Sequence, residues 1–510
     1  MLIEVMMTAA LAAAAPSAAA PQGGSPTIAR QDPAQAAAFR ARAEQLLGLL
    51  ADGDPQAIDA FLDAHLLTPA IPDMEPAAAT RTRLKALARQ SGGVDVAEWH
   101  PMPDAIFFEG VTRKGQLPVE GALFFKGDKL AGIDLQRNRL KRPADAPAWP
   151  LKAMSVDEAL KAIRAEIDWR ARNELFSGTV LIAHRGTPVL TGSWGLAARG
   201  PDLPNRDDTL YHTASATKML VSAAIATLID DGKLALDTPV GQAVPGLASA
   251  PEAGKVTIGD LLGHRVSYGE YFEDLDRAPE LRKADRASDL LPLLAKRSPR
   301  RAPPGRIAYS NANYLVLAAA IEAASGRPFR DYVSERVMKP LGLKRTTYGE
   351  IGGRPAGAAI GWVKDSLTDP LGLEAFRPND FMFKASYRGG PAGGAWASAG
   401  DMFALIDGIA AGKLVKPATL QAMLADRRRQ GPTLGSALGF MFRGGDKLAF
   451  FGHAGGGGNA GMSASAFIAP DREWAVVVLS NFSSPSGEML AGQLLDYLAK
   501  LPRESSPSSR

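Results

Sequence analysis

Three short stretches carry side chains that could perform acyl chemistry together. Ser215 and Lys218 form a Ser-x-x-Lys within His212-Thr213-Ala214-Ser215-Ala216-Thr217-Lys218-Met219-Leu220. There an extended run gives way to an apolar run over 216–230, which predicts a buried helix stopped by Asp231-Gly232-Lys233. One helical turn sets the hydroxyl and the amine on the same face. An amine beside a hydroxyl at a helix N-terminus can take the hydroxyl proton, and free N–H groups there favour developing negative charge. Composition alone gives about one or two such spacings in a chain this long, so this motif needs company.

Two further motifs supply it. Pro304-Gly305-Arg306-Ile307-Ala308-Tyr309-Ser310-Asn311 places Tyr309 and Asn311 after a Pro-Gly turn and before a helical run at 314–324. Gly452-His453-Ala454-Gly455-Gly456-Gly457-Gly458 is so rich in glycine that a ligand or another backbone must approach closely. Taken singly, Tyr309 could be a core tyrosine beside a cap, and composition yields roughly 0.6 His-x-Gly by chance. All three in this order, with these flanks, are a much rarer coincidence.

The elements that must position these residues can be read in outline. A chain of 510 residues is too long for one ordinary core. Residues 1–20 contain a short Ala-rich segment ending in small residues, expected to be a signal peptide, although Glu4 and the lack of Lys or Arg before it are atypical. Residues 21–35 read as a linker. Helices are expected over 36–66, interrupted at Gly53-Asp54-Pro55, and at 80–90, followed by strands at 94–100, 105–113, 118–126 and 129–136. Together these make a small α+β module at 36–137 whose element order resembles the cystatin-like or nuclear-transport-factor-like cone. It carries none of the three motifs. A charged and Pro-rich boundary at 138–153 leads to a larger unit at 154–500, and 501–510 read as a disordered tail. The larger unit predicts a helix at 155–173 and strands at 178–184 and 188–194. It then returns with strands at 463–469 and 474–480 and a helix at 484–500, which implies one antiparallel sheet closed by both ends of the unit.

Other chemistries are disfavoured by composition. There are no cysteines, which removes disulfides, thiol catalysis and thiolate metal sites. The six histidines (65, 100, 184, 212, 264 and 453) lack ligand spacing, so no metal and no other cofactor is expected. The net charge of +4 is small, and the basic clusters at 296–301 and 427–429 have no interleaved aromatics, so they read as solvated surface and not as a nucleic-acid site. No stretch is long enough to predict a stable membrane span.

Over roughly 155–497 the sequence resembles the class C β-lactamase and penicillin-binding-protein-like serine hydrolases, a family that includes D-aminopeptidases, D,D-carboxypeptidases and carboxylesterases. Leu228–Leu234, Leu236–Val240, Val256–His264, Met338–Leu343 and Pro391-Ala392-Gly393-Gly394 agree with it as well. The departure is Arg265-Val266-Ser267-Tyr268, where relatives usually carry Thr-Ser-Gly, which implies a different cleft rim. The resemblance implies a β-lactamase/transpeptidase-like fold and metal-free acyl-enzyme hydrolysis of a small-molecule or peptide substrate. Ser215 would be the nucleophile, Lys218 and Tyr309 would share its proton, and Asn311 would orient Lys218 and the substrate. The amides of Ser215 and Gly456 would form an oxyanion hole, with His453 and Gly455 lining the substrate site. Which of Lys218 and Tyr309 is the base is left open by the sequence, because both are basic groups when free. His453 and Ala454 stand where β-lactamases and carboxypeptidases commonly have Lys and Thr, so an esterase or D-peptide hydrolase is expected. A β-lactamase or D,D-carboxypeptidase, and a non-catalytic penicillin-binding-like module, are the alternatives.

Overall fold

Apolar residues at helical spacing near the N-terminus form two helices, because Gly53-Asp54-Pro55 ends one and starts the next. α1 runs Pro33–Asp52 and α2 runs Pro55–His65, with Asp54 as the N-cap accepting from the Gln56 amide at 2.8 Å. After α3 (Ala77–Ser91) come β1 (Val94–Met102), β2 (Ala105–Thr112), β3 (Pro118–Lys126) and β4 (Lys129–Arg137), an antiparallel meander in that order. The computed structural model describes residues 33–501, apart from 68–76, 103, 138–146, 150–153, 350–352, 364–370, 372–375, 380–389, 431–433, 445–446, 458–459 and 485. The expected signal peptide and most of the two linkers and the tail lie outside the described residues.

The chain divides into two units. Residues 1–146 together with 364–377 make the first, and 147–363 with 378–510 make the second. The assignment of 364–377 to the first unit interrupts the contiguous stretch read over 154–500. Leu371 is completely buried in the core of the first unit, among residues from its helices and sheet, and its amide donates to Gln90 Oε1 at 3.2 Å.

The second unit is built on an eight-stranded antiparallel sheet. β5 (Gly178–His184) and β6 (Thr187–Trp194) follow α4 (Val156–Arg172), which is started by a Ser155/Glu158 capping box. After the short strand β7 (Tyr211–His212), the helices α5 (Lys218–Asp230) and α6 (Ala312–Ser325) and the strand β8 (Ala395–Ala397) come α7 (Ala399–Ala410) and six strands. These are β9 (Arg428–Arg429), β10 (Leu434–Ser436), β11 (Met441–Arg443), β12 (Phe450–Gly456), β13 (Ser463–Ile468) and β14 (Trp474–Ser480), before α8 (Ser486–Leu498). The order β9-β10-β11-β12-β13-β14-β5-β6 joins the two ends of the unit between β14 and β5, as read from the sequence. The four strands β9–β12 are new. Three are only two or three residues long and the fourth is the glycine-rich stretch, so none shows an alternating apolar pattern.

Both sheet faces are covered. In β14, Val476 and Val478 pack against α4 and α8, whereas Ala475, Val477 and Leu479 face α5, α6 and α7. α5 and α6 are apolar all round and buried over nearly their whole length, as central helices must be.

Leu371→Ala is expected to destabilise the first unit by about 2–5 kcal/mol through the cavity it leaves. In a calorimetric scan one transition should fall while that of the larger unit holds. An unchanged thermogram would contradict the assignment of Leu371 to that core.

Candidate active site

Ser215 sits in a single 3-10 turn, Ala214–Thr217, between β7 and α5. Two strands fix that turn. On one side Thr213 donates through both its amide and its hydroxyl to Ala395 O at 2.9 Å, and the Ala395 amide donates to Thr217 Oγ1 at 3.2 Å. On the other side lies β12, where a Cβ on Gly455 would stand 2.3 Å from the Ser215 amide nitrogen and 2.8 Å from that of Ala216. Only glycine allows this approach. Ala214 has φ of +47°, a left-handed conformation costly for a residue with a Cβ, and such strain concentrates where a side chain must be aimed.

Lys218 is fully buried and makes three polar contacts: Ser215 Oγ at 3.0 Å, Asn311 Oδ1 at 2.7 Å and Ala392 O at 2.6 Å. Its Nζ also lies 5.0 Å from the Tyr309 ring centroid and 5.2 Å from that of Tyr314. Burial pulls the amine down to about 7, against an opposing pull from Glu270. The Tyr309 hydroxyl donates to Ser215 Oγ at 3.0 Å. Although 43% of Tyr309 is exposed, the hydroxyl is turned inward, and burial pushes it up to about 12. The hydrogen bond to Ser215 opposes that rise and the Glu270 charge adds to it. Asn311 presents Oδ1 to Lys218 because its Nδ2 donates to Glu270 Oε2 at 2.9 Å.

The structure thus brings Ser215, Lys218, Tyr309 and Asn311 into one hydrogen-bonded cluster, with Gly455 packed against the nucleophile turn. Gly456 follows on the same strand, where a Cβ would lie 2.1 Å from Ser484 Oγ and 2.7 Å from Glu488 Oε1. His453 is buried, and its Nδ1–H donates to Ala454 O at 2.6 Å. Burial first and the Lys218 charge second bring it down to about 3, well below the ordinary imidazole range. It is neutral throughout the physiological range.

Two participants escaped sequence reasoning. Glu270 is 41 residues from Asn311 and carries no motif. Ala392 acts through its backbone carbonyl, although the surrounding Pro391-Ala392-Gly393-Gly394 had been singled out. At the departure 265–268, Val266-Ser267 pairs with Arg300-Arg301, and Ser267 Oγ donates to Tyr309 O at 3.4 Å.

The Beta-lactamase family model matches residues 162–507. The chain belongs to the Beta-lactamase family. It is 28% identical over 314 residues to Esterase EstB of Burkholderia gladioli, covering 56% of this chain and 77% of the esterase. It is also 28% identical over 181 residues to the D-alanyl-D-alanine-carboxypeptidase/endopeptidase AmpH of Escherichia coli, covering 34% of this chain but only 45% of AmpH. Among solved structures, the penicillin binding protein from Bacillus halodurans superposes with a TM-score of 0.54 at 27% identity, over 64% of this chain and 97% of that one. The larger unit therefore has the β-lactamase/transpeptidase-like fold, and the chain is a serine hydrolase of this family. Among the described residues no cluster of His, Asp and Glu could hold a metal ion, and no helix is long and apolar enough to cross a membrane.

Gly455→Ala should displace the nucleophile turn, since the added methyl collides with backbone that cannot swing away. Covalent labelling of Ser215 by a fluorophosphonate, followed by peptide mass spectrometry, is expected to slow by about 100- to 1000-fold, the scale of a lost oxyanion donor. Labelling at the wild-type rate would show that the contact is dispensable.

Proposed function

We propose that this chain hydrolyses neutral esters or D-amino-acid peptides through an acyl-enzyme on Ser215, with Lys218 as the base and Tyr309 as the proton donor. The observation that carries this reading is the three-way environment of the Lys218 amine. A neutral amine has two N–H groups and one lone pair. With Asn311 Oδ1 and Ala392 O accepting the two N–H groups, the lone pair is left for the Ser215 hydroxyl. An amine lowered to about 7 is largely free to play that part at neutral pH, whereas a phenol raised to about 12 keeps its proton to give away.

In the first step the Ser215 oxygen bonds to the substrate carbonyl carbon as Lys218 takes its proton. The tetrahedral oxyanion is met by the amides of Ser215 and Gly456. The bond to the leaving group then breaks as Tyr309 protonates the departing alcohol or amine. The Lys218 proton restores the phenol, so the serine proton has in sum left with the product. Water repeats the sequence on the acyl-enzyme and releases the acid.

Substrate preference follows from charge. A neutral His453 and a methyl at Ala454 offer nothing to a substrate carboxylate, and losing a charge-assisted hydrogen bond costs about 1.5–3 kcal/mol. Glu270 at the rim adds unfavourable charge for an anion. Esters without a carboxylate lose nothing. On one preparation a short-chain p-nitrophenyl ester should have a higher kcat/KM than nitrocefin from about pH 5.5 to 8.5, a window bracketing the free imidazole value. Nitrocefin should not gain as pH falls, because His453 stays neutral down to about 3. Faster nitrocefin turnover throughout would overturn the preference.

Two substitutions test the assignments. Ser215→Ala should abolish turnover and labelling while leaving the fold, and retention of more than a trace of activity would refute the nucleophile. Glu270→Gln removes the influence that raises the Lys218 amine, so that amine should titrate lower. The limb of kcat/KM that rises with pH through about 7 is then expected to move to lower pH. A limb that stays in place would mean Lys218 is not the base.

A further inference from the structure

We propose that His264 is the positioning residue for Tyr309, holding the phenol hydroxyl on Ser215. The inference rests on the reading of Tyr309 as proton donor and extends it to a residue outside the three motifs.

Tyr309, half-exposed between buried Ala308 and Ser310, lies between a Pro-Gly turn and α6, and its own hydroxyl is held by one hydrogen bond, to Ser215. A tyrosine so placed has two free torsions, and proton transfer needs its oxygen held within a fraction of an ångström. His264 supplies the restraint from three directions. Its carbonyl accepts from the Ala308 amide at 2.7 Å, and its Nδ1 accepts from the Ser310 amide at 3.2 Å. The residues on both sides of Tyr309 are therefore bound by one residue. The imidazole also lies tilted against the Tyr309 ring, at 4.4 Å between centroids and 32° between planes, and it meets Tyr314 at 5.7 Å. Tyr314 belongs to α6, and its hydroxyl lies 3.3 Å from Ser222 Oγ on α5, so the histidine leans on the rigid interior.

The backbone of His264 makes this possible at a cost. Its φ is +51°, left-handed for a residue with a Cβ, and the residue is 3% exposed. In that conformation both its carbonyl and its ring nitrogen reach the 308–310 segment. Its amide donates to Leu261 O and its ring also meets Tyr314, but its carbonyl, its Nδ1 and its ring face all reach the segment carrying Tyr309, which is better explained by aiming that side chain than by filling space. The clamp needs an unprotonated Nδ1, and burial together with the nearby Lys218 and His453 holds the ring well below its ordinary value. Accepting at Nδ1 places the ring proton on Nε2. The histidine touches neither Ser215 nor the reacting atoms, and its action runs through Tyr309.

The test uses the full chain and the substitution His264→Asn. Asparagine tolerates the left-handed conformation and keeps an acceptor near the position of Nδ1, but removes the ring that walls Tyr309. With a p-nitrophenyl ester, kcat should fall about 10- to 100-fold, the cost of a misplaced catalytic group, while KM stays within about threefold. The same substitution is made in a Tyr309→Phe background, and the rate of Ser215 labelling by a fluorophosphonate is measured in all four proteins. Because the histidine acts through the phenol, His264→Asn should change labelling by less than about twofold once the hydroxyl is gone. An equal loss in both backgrounds overturns the proposal, and so does a kcat within about twofold of wild type. If His264→Asn does not fold, His264→Gln is measured in the same way, and failure of both to fold assigns the residue a packing role instead. Wild-type turnover by Tyr309→Phe alone would sink the reading of Tyr309 itself, a result distinct from any outcome at His264.

Discussion

The burial of one amine is the constraint on which the site depends. Lys218 has no exposed surface, so its charge is costly, and every feature around it meets that cost or uses it. Two carbonyl acceptors and two aromatic faces keep the nitrogen in place, and Glu270 limits how far its basicity falls. The same desolvation makes the amine a usable base at neutral pH, where a solvated lysine would be almost wholly protonated. The charge also acts outward, since it helps to hold His264 and His453 neutral. Burial is the larger cause in both histidines, and the lysine adds to it in the same direction.

The scaffold serves that arrangement by fixing the nucleophile turn between two strands. β8 binds Thr213 and Thr217 through backbone and hydroxyl hydrogen bonds, and β12 presses a side-chain-free position against the Ser215 amide. Both strands are backed by apolar layers of the second unit, so small displacements of the turn are opposed by a packed core. The left-handed residues at 214 and 264 lie on the two edges of the cluster, one next to Ser215 and one behind Tyr309. Five other non-glycine residues among those described also have positive φ, but Ala214 and His264 are the two that adjoin this cluster, where geometry mattered more than local stability.

The sequence by itself determined the parts whose signal is local. The apolar runs at 216–230 and 314–324 made buried helices, the β14 run made a central strand, and Gly53-Asp54-Pro55 split two helices, because periodicity and turn chemistry act within a few residues. The spacing of Ser215 with Lys218, and of Tyr309 with Asn311, was legible for the same reason, and the family resemblance put the two pairs in one site. Only the tertiary structure decided the rest. β9–β12 are strands through their partners and not their composition, and Leu371 joined a core far from it in sequence. Glu270, the Ala392 carbonyl and His264 entered the site through chain crossings that no spacing encodes. The relative basicity of Lys218 and Tyr309 was hidden as well, since lysine and tyrosine have similar free pKa values. Burial moves the two in opposite directions, and burial is a property of the folded chain alone.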